Sequence, residues 1–126
     1  MMSDDLQNTF YGRRVLLVED EWLIALDISD LLERWGCSVV GPAANVATAL
    51  AIIEDSVPDA AVLDVHLNGE TSERVADALR AHGCPFVVLT AYQQHHLAGS
   101  LSDAPLLRKP VDEKRLQQQL ASLLRK

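Results

Sequence analysis

Six of the 126 residues are aromatic: two each of Trp, Tyr and Phe. Basic residues are also in short supply. Eleven Lys and Arg stand against eighteen Asp and Glu, a formal charge of -7. This balance disfavours nucleic acid and anionic membrane surfaces as partners, since both demand a basic face. No apolar run approaches the roughly 18 residues of a transmembrane helix. The opening MMSDDLQNTFYGRR places acids first and has no apolar core, unlike a secretory signal. A cytoplasmic location is expected. The two cysteines, Cys37 and Cys84, each follow a glycine and lack C-x-x-C spacing, so they are expected as reduced thiols rather than a zinc or redox pair.

There is enough chain for one domain with its own core and too little for two. The expected division is a polar extension over residues 1–12 and a domain over residues 13–126. Short apolar runs recur: VLLV, CSVVG, AAVLD, CPFVVLT and PLLRK. Runs of this kind suit strands buried on both faces. Helical patterns separate them. From Trp22 to Trp35, Ile24, Ile28, Leu31, Leu32 and Trp35 share one face, and Gly36 follows as a C-terminal stop. Asn45 caps a second helix reaching Asp55, Thr71 or Ser72 caps a third, and a last one runs from Asp112 to Leu124. The stretch from Tyr92 to Pro105 is polar and weakly periodic, leaving room for a brief or irregular helix. Five strands alternating with about five helical segments indicate an α/β domain on a parallel sheet.

In such sheets, functional groups gather beyond the carboxyl ends of the strands. Here those ends carry Glu19-Asp20-Glu21, Asp64, Thr90 and Lys109-Pro110. Each has an ordinary explanation: first-turn acids favouring a helix dipole, a turn hydroxyl, an exposed lysine. Together they place acids, a hydroxyl and an ammonium at one rim. Clustered carboxylates call for an oxygen-preferring divalent cation, Mg²⁺ above all, with Mn²⁺ as a substitute. A carboxylate beside that cation is able to take a phosphoryl group as a mixed anhydride, with Lys109 and Thr90 on its oxygens. The string Asp64-Val65-His66-Leu67-Asn68-Gly69 also reads as D-x-H-x-x-G, a cobalamin signature in which His66 would ligate cobalt. That signature normally follows a domain's first strand and is accompanied by a later Gly-Gly, which the chain lacks. A phosphatase using D-x-D would need an acid at position 66.

VLLVEDE, VLDVHL, VVLTAY and LLRKP, in this order and spacing, resemble the signature segments of the receiver domain of two-component response regulators. The resemblance covers residues 13 to 124. It implies a doubly wound, flavodoxin-like five-stranded parallel sheet of order 2-1-3-4-5, an arrangement known from this class of fold. It also implies roles. Asp64 corresponds to the phosphoacceptor, Asp20 to a direct Mg²⁺ ligand and Glu19 to the second acid, linked to the metal through water. His66 supplies a backbone carbonyl to the metal. Thr90 and Lys109 bind the phosphoryl group, and the small Ala91 leaves it accessible, with backbone N–H groups near His66 and Ala91 completing the cage. The implied partners are a histidine kinase or histidine phosphotransfer protein and a downstream protein, with the chain a monomer or weak homodimer. It would be no turnover enzyme, catalysing only its own phosphorylation and dephosphorylation. The alternative within this fold is a pseudo-receiver that binds partners without being phosphorylated.

Two positions depart from the common pattern. The acid pair is Glu-Asp rather than Asp-Asp. Leu106 stands where many receivers have an aromatic that moves on phosphorylation. Pro85-Phe86-Val87-Val88-Leu89-Thr90-Ala91-Tyr92 is similar to the P-F-x-F-A-T-G-Y motif of alphaproteobacterial single-domain receivers, which often lack that aromatic. Val88, Leu89 and Ala91 replace Phe, Ala and Gly. Tyr92 is then either the mobile aromatic or a half-buried loop tyrosine. His82, His95 and His96 are expected to face solvent.

Overall fold

The computed structural model describes residues 8–91 and 101–125. The elements are β1 (Arg14–Val18), α1 (Trp22–Arg34), β2 (Ser38–Ala43), α2 (Val46–Asp55), β3 (Ala60–Asp64), β4 (His66–Leu67), β5 (Glu70–Thr71), α3 (Glu73–Ala81), β6 (Phe86–Thr90), β7 (Leu106–Arg108) and α4 (Glu113–Leu124). Five strands form one parallel sheet in the order β2-β1-β3-β6-β7. Counting only these strands, the order is the expected 2-1-3-4-5. The two-residue strands β4 and β5 pair with each other, antiparallel, outside that sheet.

The apolar runs become strands because both sides of the sheet are covered. Successive residues alternate between two cores. Val15, Leu17, Val62, Val87 and Leu89 pack with Ile28, Leu32, Leu116 and Leu120, under α1 and α4. Leu16, Val18, Leu63 and Val88 pack with Val46, Ile53, Val75 and Leu79, under α2 and α3. Each large side chain removed from water in this way contributes about 1.5–3 kcal/mol. The first core reaches back beyond residue 13. Residues 8–10 are helical, and Phe10, inside the segment expected as a polar extension, is fully buried. Its ring lies 5.4 Å from that of Trp35.

The helix ends follow the local chemistry. Asn45 Oδ1 accepts from the Thr48 N–H at 2.8 Å, and Asp112 Oδ1 accepts from the Arg115 N–H at 3.0 Å. Gly36, at φ +99°, ends α1 as the sequence suggests. Ser72 sits at the start of α3, but its hydroxyl makes no capping bond; that oxygen is buried without a partner. Both cysteines are buried free thiols, and burial pushes Cys37 up to about 11 and Cys84 up to about 12. Among the described residues, no helix is long and apolar enough to cross a membrane.

Candidate functional site

Parallel strands in register finish at one edge, so the residues that follow them meet there. β1 runs into Glu19 and Asp20, β3 ends on Asp64, β6 ends on Thr90, and Lys109 follows β7 directly. Backbone bonds hold these ends in place. The Glu19 N–H donates to Ala43 O at 2.9 Å, and the Lys109 N–H donates to Thr90 O at 2.8 Å. Carboxylate oxygens of Glu19, Asp20 and Asp64 lie within 4.8 Å of one another. Glu19 and Thr90 are each 1% exposed and Asp64 is 6% exposed, whereas Asp20 is half-buried.

Among the described residues, one cation forms ion pairs within this cluster. Lys109 Nζ donates to Asp64 Oδ2 at 3.0 Å and lies 3.0 Å from Glu19 Oε1 and 4.0 Å from Glu21 Oε1. The Glu19 contact is a close ion pair. Burial pushes the Glu19 carboxyl up from the usual 4.5 to about 7, the neighbouring Asp64 carboxylate adds to this, and Lys109 opposes it. Burial alone would lower the Lys109 ammonium, but the Glu19 and Asp64 carboxylates beside it outweigh burial and hold the lysine above its ordinary value. One ammonium therefore faces several acids. The remaining demand is for positive charge with a preference for oxygen donors. The donor set is all carboxylate, without sulfur or nitrogen, and fits Mg²⁺ or Mn²⁺.

The D-x-H-x-x-G string divides among three structural parts. Asp64 ends β3, His66 opens the β4–β5 ladder opposite Thr71, and Gly69 completes its turn. His66 is exposed. Ala91 is exposed at the mouth of the site. Leu106 is half-buried beside Val88, in the strand that leads to Lys109. Tyr92, His95 and His96 lie outside the described residues.

Sequence reasoning overlooked Asn68. Its backbone N–H donates to Asp20 Oδ2 at 2.9 Å, and its side-chain Nδ2 donates to Ala44 O at 3.0 Å. The available signal was the Asn68-Gly69 dipeptide, the favoured pair for a two-residue hairpin turn.

The sequence profile described as the response regulator receiver domain matches residues 15–121. The sensory transduction protein LytT of Bacillus subtilis (strain 168) is 38% identical over 111 residues, covering 85% of this chain and 46% of that protein. The chain thus spans a little under half the length of that curated relative. The solution structure of SdrG from Sphingomonas melonis Fr1 aligns with a TM-score of 0.77 at 40% identity, covering 91% of this chain and 98% of that one. The receiver domain of the PhyR response regulator from Erythrobacter litoralis aligns with a TM-score of 0.79 at 27% identity, over 90% of this chain and 91% of that one.

Proposed function

The chain belongs to the response regulator receiver domain family, and from that premise we propose that it takes a phosphoryl group onto Asp64 and signals by binding other proteins. The observation that carries this reading is the setting of Asp64: 6% exposed at a strand end, 3.0 Å from Lys109 Nζ and clustered with Glu19 and Asp20. The donor is a phosphohistidine on a histidine kinase or a histidine phosphotransfer protein. An Asp64 carboxylate oxygen forms the new P–O bond as the P–N bond breaks. The electron pair of that bond stays on the donor imidazole, which takes up a proton from solvent.

Positioning and charge stabilisation dominate phosphoryl transfer. Glu19, Asp20, Asp64 and the His66 backbone carbonyl would hold Mg²⁺, which when bound neutralises phosphoryl oxygens. Lys109 already touches Asp64 and needs only a small movement of its ammonium to reach a phosphoryl oxygen. Thr90, buried beside Asp64 in the adjoining strand, donates its hydroxyl to the same group. Backbone N–H groups near His66 and Ala91 complete the cage. The phosphoryl group then adds nearly two negative charges to an acidic rim, enough to bias a two-state loop. Thr90, Tyr92 and Leu106 are the switch candidates, with Tyr92 serving in place of the absent aromatic at position 106. The chain acts in the cytoplasm, as a monomer or weak homodimer.

The surface beside the rim supports docking of a phosphohistidine partner. Trp22, Leu23 and Leu26, in the first turns of α1, are 71%, 61% and 57% exposed. A cavity of about 220 Å³ flanks the same helix between Ile24, Leu31, Lys109 and Val111.

The test is incubation with Mg²⁺ and a small-molecule phosphodonor, followed by intact mass. A gain of one phosphoryl group, abolished by Asp64→Asn, is expected. No gain with any donor or cognate kinase favours the pseudo-receiver reading.

A further inference from the structure

Asn68 is the one non-glycine residue with positive φ among the described residues, at +49°, and Gly69 follows at +85°. Two successive left-handed residues form the type I′ turn that closes two-residue hairpins. Leu67 pairs with Glu70 across it. The glycine is needed for its backbone alone, since nothing lies within 4 Å of where a Cβ would stand. Asparagine at the first position is different. Asn-Gly suits such a turn by conformation alone, and glycine at the first position would supply the same φ without a steric penalty. What asparagine adds beyond glycine is the bond from Nδ2 to Ala44 O.

Three loops meet at this residue. Its backbone belongs to the segment after β3, its N–H holds Asp20 in the segment after β1, and its side chain holds Ala44 in the segment after β2. The N–H occupies Asp20 Oδ2. This restrains the Asp20 carboxylate beside Glu19 and Asp64. A half-buried aspartate without that bond would sample several rotamers, and each would have to be surrendered when a cation is bound.

We propose that Asn68 is a positioning residue for the divalent cation: the hairpin turn exists to orient Asp20, and the Ala44 bond keeps the turn in register. The inference rests on the cation reading of Glu19, Asp20 and Asp64. It predicts that the turn side chain, which touches neither the acceptor nor the cation, governs cation affinity. Removing partners that orient a metal ligand typically weakens binding 10- to 100-fold.

The experiment is calorimetric titration of the full chain with Mg²⁺, comparing the parent with Asn68→Gly. Glycine keeps the turn conformation and the N–H and deletes only the Ala44 bond. A loss of affinity of roughly tenfold is expected, with the cation-free Tm little changed. In ¹H–¹⁵N spectra, the Asn68 amide of the parent should shift on Mg²⁺ addition, because its acceptor carboxylate changes charge environment. Affinity within twofold of the parent would overturn the inference, whatever happens to Tm, and reduce the turn to a purely structural hairpin. An Asn68 amide that stays fixed while Mg²⁺ binds would overturn it independently. A parent that binds no Mg²⁺ would overturn the cation reading and this inference with it.

Discussion

The two ends of the sheet solve opposite electrostatic problems. At the amino end, Arg14 and Asp59 are each met by uncharged hydrogen-bonding groups of the chain. The Arg14 N–H donates to Asp59 Oδ2 at 2.8 Å, and the Arg14 guanidinium reaches Ser56 Oγ and Val57 O at 2.9 and 3.1 Å. Backbone bonds from Gly12 to Gly36 and from Ser38 to Arg13 close the turns around it. At the carboxyl end, Lys109 alone among the described residues forms ion pairs with Glu19 and Asp64, with Asp20 alongside. One end meets its charges with neutral dipoles; the other gathers acids and is left short of positive charge. The same strands connect them, so the imbalance is not a property of the fold. It belongs to the few residues placed after β1 and at the end of β3. Buried acids without full compensation are costly, and such a cost persists where a group from outside relieves it.

This contrast is open to attack at both ends. Phe10→Ala should have the largest effect on stability, about 4 kcal/mol, because a fully buried ring leaves a cavity. Denaturant melts should show the same loss with and without Mg²⁺. Lys109→Ala should cost about 3 kcal/mol in cation-free protein, as expected when one partner of a buried ion pair is removed. Here Mg²⁺ should recover part of the loss; a Mg²⁺-independent loss would erase the distinction between the two ends. Arg14→Ala should cost about 1 kcal/mol, in keeping with partly exposed hydrogen bonds, again without response to the cation. The last effect is a slope with pH. Glu19 is held at about 7 rather than 4.5, so the folded protein binds more protons than the unfolded chain between those values. Its contribution to stability is complete below pH 4.5 and lost as pH rises through about 7. Cation-free melts should therefore lose stability across this window more steeply in the parent than in Glu19→Gln.

Much of this arrangement was legible before any coordinates. Continuous apolar runs announce strands covered on both faces, and all five fall where VLLV, CSVVG, AAVLD, CPFVVLT and PLLRK place them. Asn45 and Asp112 cap helices because their short side chains reach the third amide beyond. Strand order was not legible in periodicity; it came from resemblance, since period tells which face is buried and not which strand lies beside which. Phe10 stayed hidden because its neighbours Asn8, Thr9, Tyr11 and Gly12 form no apolar pattern. The β4–β5 ladder escaped because its flanks, two residues each, are too short to alternate visibly. Ser72 looked like a cap on residue type alone, yet its hydroxyl is buried where no free amide meets it. The rim acids were the easiest to find, since charges directly after apolar runs have no role in the runs themselves.

The two tryptophans are placed with opposite exposures, 5% for Trp35 and 71% for Trp22. Trp35 is packed against Phe10 at the amino end, while Trp22 stands two residues beyond Asp20. The protein therefore carries two built-in fluorophores with separate duties. Blue-shifted emission from Trp35 tracks whether the domain is folded, and red-edge emission from Trp22 tracks what happens at the rim. A Trp35→Phe version would leave a single indole whose quenching by Mn²⁺ or by a docking partner could be followed in real time, without a label.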